Sequence, residues 1–400
     1  MIQHMRLAAV LGICFYSYFA VAVSNPDMLL DTLQLITKYG YHGEAHTVTT
    51  SDGYILTMHR IAGSEQSPPA SGKPVVFLQH GLMCSSADWI ILGPEKSLGY
   101  LLADAGYDVW MGNARGNTYS KDHITYSTTS QVYWDFSWHE MGIFDLPAEF
   151  DYVLEQTGQE DLYYVGHSMG TTMFYVLMSV KPEYSTKVRH MISLAPIAYM
   201  KNCRSALATF GSYFPGGQLG MAALQLLGVG ELMPNNGFMK ILSDLACTEG
   251  SIFQPMCQNI LFLIVGYDSS QLNKTVLPVI LAHTPAGAST KSLSHYAQEI
   301  SAIEGGFRQW DFYLGNWMQY GSIFPPEYQL SHDIVPTTLF YGDNDLFGDP
   351  TDVHQLNTAL GKSLEEYRVP LSSFAHMDFL WANDVKTLVN DKVLEVIQSN

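Results

Sequence analysis

Short apolar runs and longer segments of helical spacing alternate along most of the chain. Apolar runs bounded by Gly, Pro or Asp predict strands, and apolar residues recurring every three or four positions predict helices. The predicted strands are His46–Thr50, Tyr54–Arg60, Pro74–Gln79, Tyr107–Met111, Leu162–Val165, His190–Ala195, Thr337–Tyr341 and Glu366–Val369. The predicted helices are Leu98–Ala105, Leu146–Gln156, Thr171–Val180 and Val385–Ile397. This alternation predicts an α/β fold with a mostly parallel sheet covered by helices on both faces.

The alternation stops between residues 197 and 330. This stretch holds six basic and eight acidic residues, a lower charged fraction than the 14% of the whole chain, and Gly216–Glu231 is apolar and interrupted by glycine. A helical subdomain that buries its own core is one interpretation. The other is a cap with a lid that presents apolar surface to lipid. We therefore predict a core formed by residues 25–196 and 331–400, with residues 197–330 inserted as a mainly helical cap domain.

The first 24 residues are typical of a secretory signal. A weakly basic start is followed by an apolar run over Leu7–Val23 that contains Ala20-Val21-Ala22, a small-x-small cleavage pattern. The mature chain is expected to begin between Val23 and Asn25. An N-terminal membrane anchor is the alternative, because the run approaches the length of a span.

Composition limits the classes of partner. Hydrophobic residues make up 47% of the 400 residues, which is enough for a large core and excludes global disorder. The formal net charge of −18 would repel a phosphate backbone, so a nucleic-acid partner is not expected.

Secretion changes the interpretation of the cysteines. Cys247 and Cys257 are close enough in sequence to close a small loop by a disulfide, whereas Cys84 and Cys203 are left as either paired or free. The chain contains no Cys-x-x-Cys pair, so a structural zinc site is not expected. Asn273-Lys274-Thr275 is a glycosylation sequon that the secretory route makes usable.

The strongest motif is Gly166-His167-Ser168-Met169-Gly170, the one G-x-S-x-G of the chain. It lies between a predicted strand and a predicted helix, which is the context of a nucleophile elbow. The turn leaves no room for side chains at the flanking glycines, and the helix N-terminus favours developing negative charge. Ser168 is the candidate nucleophile.

A serine nucleophile needs an oriented base, and in this fold the order is Ser, then acid, then His. Of the two histidines after residue 345, His354 falls in an apparently helical segment, whereas His376 lies in a loop beyond the last predicted strand. His376 is the candidate base. Asp343 and Asp345 both follow the preceding strand, and position alone does not separate them.

Backbone amides must stabilise the oxyanion that forms on the substrate. The amide after the nucleophile, that of Met169, is one candidate donor. Gln79-His80-Gly81-Leu82 follows a buried strand, which makes the amide of Leu82 the second candidate.

Several long segments resemble the acid lipase family, the gastric and lysosomal acid lipase type within the α/β-hydrolases. The resemblance covers essentially the whole mature chain and is carried by the segments TSDGYIL at 50–56, VVFLQHGL at 75–82, ADAGYDVWMGNARGN at 103–117, YVGHSMGTT at 164–172, HTPAG at 283–287, NDLFGDP at 344–350 and HMDFLW at 376–381. One departure is Met169, where the family usually has Gln. The segment Phe210–Gly230 also matches poorly, which leaves the acyl-chain preference open.

The resemblance implies a catalytic triad of Ser168, Asp345 and His376, and so selects Asp345 as the acid. It further implies an oxyanion hole from Leu82 and Met169, a Cys247–Cys257 disulfide, a cap with its lid at about 197–330, and no metal or organic cofactor. The expected substrate is a neutral lipid ester at a lipid–water interface.

Three functions remain as hypotheses. The leading one is a secreted serine lipase for triacylglycerols or cholesteryl esters, with the lysosome as the alternative location. A carboxylesterase for soluble short-chain esters is the second, and a lipase-like protein that binds lipid without cleaving it is the third. The mature chain is expected to lack a transmembrane segment, and its oligomeric state is left open.

Overall fold

A computed structural model describes residues 25–205, 230–232, 270–302, 305–332, 335–361 and 365–400. The predicted signal segment, the apolar stretch of residues 216–229 and both Cys247 and Cys257 lie outside the described residues. The predictions made for them therefore stay predictions.

A nine-stranded sheet forms the centre of the molecule. Its strands are β1 (His42–Thr49), β2 (Tyr54–Gly63), β3 (Val75–Gln79), β4 (Asp108–Met111), β5 (Asp122–His123), β6 (Leu162–His167), β7 (Val188–Leu194), β10 (Thr337–Tyr341) and β11 (Glu365–Arg368). Their order is β1-β2-β4-β3-β6-β7-β10-β11, and β5 pairs with β2. All pairs from β4 to β11 are parallel, whereas those of β2 with β1, β4 and β5 are antiparallel. The mostly parallel sheet predicted from the sequence is confirmed.

Helices connect the strands and cover the sheet. They are α1 (Thr32–Lys38), α2 (Leu98–Asp104), α3 (Leu146–Thr157), α4 (Met169–Val180), α5 (Leu277–His283), α6 (Thr290–Ser301), α7 (Asn316–Tyr320), α8 (Pro350–Ala359), α9 (Asp378–Trp381) and α10 (Asp391–Ser399). One turn at Trp138–Glu140 and π-type turns at Met141–Asp145 and Lys386–Asn390 precede α3 and α10. Short 3₁₀ turns lie at Pro26–Leu29, Ser86–Trp89, Gln131–Trp134, Pro182–Lys187, Tyr313–Gly315 and Leu330–His332.

The structure contains the predicted strands and helices, with shifted ends. The closing helix, predicted as one element over Val385–Ile397, is divided by the π-type turn before α10. The helix after the candidate nucleophile begins at Met169 rather than Thr171, because Ser168 itself makes the turn from strand to helix. Apolar spacing does not register such a turn, so sequence places helix starts less well than helix centres.

Both faces of the sheet are buried. In β3, Val75 and Phe77 belong to one hydrophobic cluster, whereas Val76 and Leu78 belong to the cluster on the opposite face. Successive side chains of a strand point to opposite faces, so a continuous apolar run is what a doubly covered strand requires. This packing holds the carboxyl ends of β3 and β6 side by side, with Gln79 paired to Gly166.

A buried arginine joins three segments on one side of the sheet. The side chain of Arg115 donates to Asp145 at the start of α3 and to Asp52 in the β1–β2 turn, and its backbone amide also donates to Asp145. Its guanidinium lies 3.9 Å from the ring centre of Tyr54. Because a buried charge without a partner is costly, this cluster fixes the turn, the loop after β4 and the start of α3 relative to one another.

Among the described residues, positions 197–330 contribute no strand to the main sheet. Their β-structure is a two-stranded ribbon of β8 (Glu231–Leu232) and β9 (Ala288–Ser289), followed directly by α6. The helix α6 packs against the core, where the ring of His295 stacks on Trp138 at a centroid distance of 3.6 Å. The division into a core and a cap domain with a lid stays a prediction, because most of the inserted stretch lies outside the described residues.

Cys84 and Cys203, left as either paired or free by the sequence, are both free and buried. Within the described ranges, no helix combines the length and the apolar character needed to cross a bilayer.

We expect Asp145→Asn to lower the free energy of unfolding by about 3–5 kcal/mol, because it leaves a buried guanidinium short of one counter-charge. Chemical denaturation at pH 7.5 measures this loss. The control is Lys187→Ala, which breaks the exposed Lys187–Asp151 pair and should stay within the error of the unfolding curve. If Asp145→Asn proved as mild as the control, the cluster would not be a major source of stability.

Candidate active site

Ser168 occupies the turn between β6 and α4. Its backbone has φ 53° and ψ −116°, a left-handed conformation that residues with a side chain rarely adopt. Its carbonyl accepts from the amide of Thr171 at 2.9 Å, so the helix begins immediately after it. The turn therefore places the Ser168 hydroxyl at the N-terminus of a buried helix, where the helix dipole favours negative charge.

The two glycines that flank this turn are required by close packing. A Cβ atom on Gly170 would lie 2.4 Å from the carbonyl oxygen of Gln79, and one on Gly166 would lie 2.9 Å from the amide nitrogen of Thr171. Neither glycine has a positive φ angle. The motif therefore keeps glycine at both ends because β3 lies against Gly170 and the start of α4 lies against Gly166.

His376 lies between Ser168 and Asp345. Its Nε2 atom is 2.8 Å from the Ser168 hydroxyl oxygen, and its Nδ1 atom is 2.8 Å from Oδ2 of Asp345. The three side chains lie on different elements: Ser168 before α4, Asp345 after β10 and His376 in the loop before α9. The structure thus brings together the three side chains that the sequence offers as candidate nucleophile, base and acid.

Geometry separates the two aspartates that position alone left open. Asp345 is fully buried, and its second oxygen accepts from the amides of Phe347 and Gly348, both at 2.8 Å. Burial by itself raises a carboxyl pKa, but His376 and the two amides outweigh burial and hold the pKa of Asp345 below its ordinary value. The carboxylate therefore faces His376 in its charged form.

Asp343 points elsewhere. It pairs with Arg368, whose hydrogen bond lowers the pKa of Asp343, and the guanidinium of Arg368 is largely exposed. His354, the other late histidine, lies on α8 and contacts Glu366 at 2.9 Å. Neither residue takes part in the hydrogen-bonded line through His376.

The loop after β3 lies against the nucleophile. A Cβ atom on Gly81 would come within 3.0 Å of the Cβ of Ser168, so the loop that carries Leu82 packs directly against the nucleophile turn. Met169 begins helix α4, so its amide is one of the first N–H groups that have no acceptor within a helix. The amides of Leu82 and Met169 therefore remain the candidate oxyanion donors.

His80 fixes the shape of that loop. Its Nε2 atom accepts from the backbone amide of Ala114 at 3.0 Å and from the side chain of Asn117 at 3.1 Å, so Nε2 carries no proton. The proton is therefore on Nδ1, which donates to the carbonyl of Gly81 at 2.7 Å. Burial lowers the pKa of His80 to about 4, which keeps the ring neutral and in this tautomer.

His167 performs a similar task beside His376, and sequence reasoning did not single it out. Its Nε2–H donates to the backbone carbonyl of His376 at 3.0 Å, and burial lowers its pKa to about 3. A polar residue at the buried end of an apolar strand is the signal that points to it. The ring of Phe347, 5.1 Å from that of His376, also packs at the site and carries no comparable signal.

This arrangement is suited to acyl transfer. A hydroxyl within hydrogen-bond reach of an imidazole, itself oriented by a buried carboxylate, is the constellation that activates a serine. Within the described ranges, no three His, Cys, Asp or Glu side chains converge as they would around a metal ion.

Comparison with protein families supports the same chemistry. The α/beta hydrolase fold family model matches residues 74–382, and a partial alpha/beta-hydrolase lipase region matches residues 32–93. Lipase 3 of Drosophila melanogaster is 46% identical over 95% of both chains. Gastric triacylglycerol lipase of Mus musculus is 37% identical over 93% of both chains. Human lysosomal acid lipase/cholesteryl ester hydrolase is 35% identical, covering 94% of this chain and 92% of its own.

Solved structures show the fold. A structure from Sulfolobus solfataricus superposes with a TM-score of 0.58 at 15% identity, covering 86% of this chain and 90% of its own. A bacterial membrane phospholipase A superposes with a TM-score of 0.52 at 15% identity, covering 100% of both chains. Since the family model spans more than half of the chain and the lipases match nearly all of it, the chain belongs to the acid lipase family of the α/β-hydrolases and is an ester hydrolase.

Proposed function

We propose that this chain is a serine lipase that cleaves neutral lipid esters through a Ser168–His376–Asp345 triad. The observation that carries the proposal is the continuous hydrogen-bonded line, with 2.8 Å from the serine oxygen to His376 and 2.8 Å from His376 to Asp345. A base must lie within hydrogen-bond reach of the proton that it removes, and His376 satisfies that requirement at the Ser168 hydroxyl.

The mechanism follows from these contacts. His376 Nε2 takes the hydroxyl proton as the Ser168 oxygen attacks the ester carbonyl, and Asp345 stabilises the imidazolium that forms. The amides of Leu82 and Met169 donate to the oxyanion of the tetrahedral intermediate. His376 then protonates the departing alcohol, which leaves an acyl-enzyme. Water, deprotonated by His376, attacks the acyl carbon. His376 then returns that proton to the Ser168 oxygen as the bond between this oxygen and the acyl carbon breaks, which releases the fatty acid and restores the enzyme.

The substrate class rests on the relatives and on the sequence. The gastric relative is named a triacylglycerol lipase and the lysosomal relative a cholesteryl ester hydrolase. Both of these lipids are neutral and apolar. A charge-poor insertion at 197–330, proposed as a cap with a lid, suits such substrates better than soluble esters. Secretion, with the lysosome as the alternative, follows from the signal-like first 24 residues and the same relatives. The Cys247–Cys257 disulfide and glycosylation at Asn273 remain part of this proposal.

Ser168→Ala is expected to reduce ester hydrolysis by more than about 10⁴-fold, because no other group replaces the nucleophile. Tributyrin and triolein, assayed across the solubility limit at pH 5 and pH 7, provide the measurement. The melting temperature of the variant should equal that of the native protein. Serine-independent turnover would reject the triad, and turnover of dissolved short esters alone would favour a carboxylesterase.

Asp345→Asn is expected to lower kcat by about 10⁴-fold. The neutral Asn side chain can neither stabilise the imidazolium of His376 nor hold the neutral ring in the required tautomer. Asp343→Asn is the matched control, the same substitution two residues away at a surface ion pair, and should leave kcat nearly unchanged. Steady-state kinetics on a soluble ester decides between them. A larger loss for Asp343→Asn would reassign the acid.

His80→Gln is expected to lower kcat at least tenfold with a small change in KM. The loop that carries the Leu82 amide then loses the hydrogen bond from the His80 ring to the Gly81 carbonyl. The substitution should also change acid stability. The pKa of His80 is about 4 in the folded chain and 6.5 ordinarily. The contribution of neutral His80 to the free energy of unfolding is therefore complete above pH 6.5 and is lost as the pH falls towards 4. In His80→Gln, the free energy of unfolding should therefore fall less steeply between pH 6.5 and about pH 4, by about 1.4 kcal/mol per pH unit.

The control for this variant is His59→Gln. Burial lowers the pKa of His59 to about 4 as well, but its ring bonds to the Ser86 hydroxyl, four residues beyond Leu82, and not to the Gly81 carbonyl that His80 holds. The same shallower pH dependence with nearly normal kcat is expected. If both variants lost activity equally, the hydrogen bond from His80 to Gly81 would not explain the loss of kcat in His80→Gln.

A further inference from the structure

One surface segment, the loop of residues 312–324 that includes α7, exposes an unusual set of apolar side chains. The exposed fractions are 100% for Leu314, 92% for Met318, 69% for Ile323, 67% for Trp317 and 66% for Phe324. Single exposed apolar residues are common on protein surfaces, but five within eleven positions are not. We call this segment the apolar loop.

The polarity of the apolar loop is the reverse of that of an ordinary surface turn. Its buried member is the polar residue Asn316, which is 1% exposed. The Asn316 side chain donates to Asp311 at 2.7 Å and to the carbonyl of Ile323 at 3.0 Å, and it accepts from the amide of Phe312 at 2.8 Å. A polar side chain therefore forms the internal frame, and the apolar side chains project outward.

The base of the loop is fixed to helix α6. Gln298 donates to the carbonyl of Asp311 at 3.0 Å and accepts from its amide at 2.9 Å. Two residues earlier on the same helix, the hydroxyl of Tyr296 lies 2.9 Å from the hydroxyl of Thr172, which follows Ser168 by four residues. The apolar loop is thus held in a defined position relative to the helix that carries the candidate nucleophile.

Charge indicates what kind of surface the loop fits. Residues 312–326 contain no Asp, Glu, Lys or Arg, and the chain as a whole carries −18. The adjacent cations have acidic or carbonyl partners: Lys291 pairs with Asp135, and Arg308 donates to the carbonyl of Pro325. An anionic membrane would gain nothing from this patch and would be repelled by the net charge.

We propose that the apolar loop docks the protein onto a neutral lipid surface, with Leu314, Trp317, Met318, Ile323 and Phe324 entering its outer layer. Side chains that stand out singly from a rigid turn suit a fluid layer that closes around each of them. An indole ring, with an apolar body and one polar N–H, suits the boundary between water and lipid. The proposal deepens the lipase function and rests on it for the identity of the lipid.

The test measures adsorption separately from hydrolysis. All binding variants carry Ser168→Ala, so that the surface is not consumed, and the probe is a triolein emulsion stabilised with phosphatidylcholine. We expect Leu314→Ser/Met318→Ser to weaken adsorption at least tenfold, because two aliphatic side chains no longer leave water. Leu29→Ser/Ile124→Ser is the matched control, with two exposed aliphatic residues elsewhere on the surface, and should change adsorption less than twofold.

Further measurements separate the possible outcomes. With Ser168 intact, the loop variant should hydrolyse a dissolved ester at the native rate while losing activity on the emulsion, and Trp317→Phe should keep full adsorption. Vesicles containing phosphatidylglycerol should bind more weakly than pure phosphatidylcholine.

Adsorption that is unchanged by the loop variant would overturn the proposal. So would a native dimer that this variant converts to a monomer, since the loop would then contact a second copy. Failure of the lipase function would appear differently, as absent hydrolysis of both substrates with adsorption still dependent on the loop.

Discussion

The left-handed backbone of Ser168 is the constraint on which the rest of the site depends. Holding a residue with a side chain in such a conformation costs about 1–3 kcal/mol, and it persists only where the surroundings permit no other arrangement. Here Gly166 and Gly170 allow β3 and α4 to close on the turn from both sides, and Gly81 allows the next loop to reach the serine. The doubly buried sheet supplies the rigidity, because its strands cannot move without opening two cores.

Around this turn, neutral and charged groups have separate tasks. His80 and His167 are buried, uncharged and locked in one tautomer each, and both hold backbone carbonyls of segments that face the serine. Asp345 is the buried charge of the site, and His376 together with two backbone amides keeps it ionised despite its burial. Since burial lowers the pKa of His80 to about 4 and that of His167 to about 3, these two hydrogen bonds persist in moderately acidic surroundings.

Much of this arrangement could be predicted from sequence because its signals are local. Each signal adjoins an element that the sequence also predicts. The nucleophile motif lies between a strand and a helix, His80 directly follows an apolar strand, and His376 lies in the loop after the last strand. The choice between Asp343 and Asp345 is different, because both follow β10 and only the direction of each side chain across the sheet edge separates them. The same holds for the tautomer of His80, which depends on Ala114 and Asn117. The exposure of residues 312–324 was equally hidden, since an apolar turn and a buried helix have the same composition.

The two free cysteines lie beside two segments that the proposed chemistry uses, the loop of Leu82 and the segment of Asp345. Cys84 follows the loop of Leu82, and the Cys203 thiol lies 3.3 Å from the carbonyl of Leu346, next to Asp345. Burial raises the pKa of both thiols, that of Cys203 to about 12, so neither forms a reactive thiolate in the folded state. Thiol exchange therefore waits until one of these loops opens. Each sulfur is a built-in reporter of local opening, one for the oxyanion side and one for the acid side, without a foreign label in the chain.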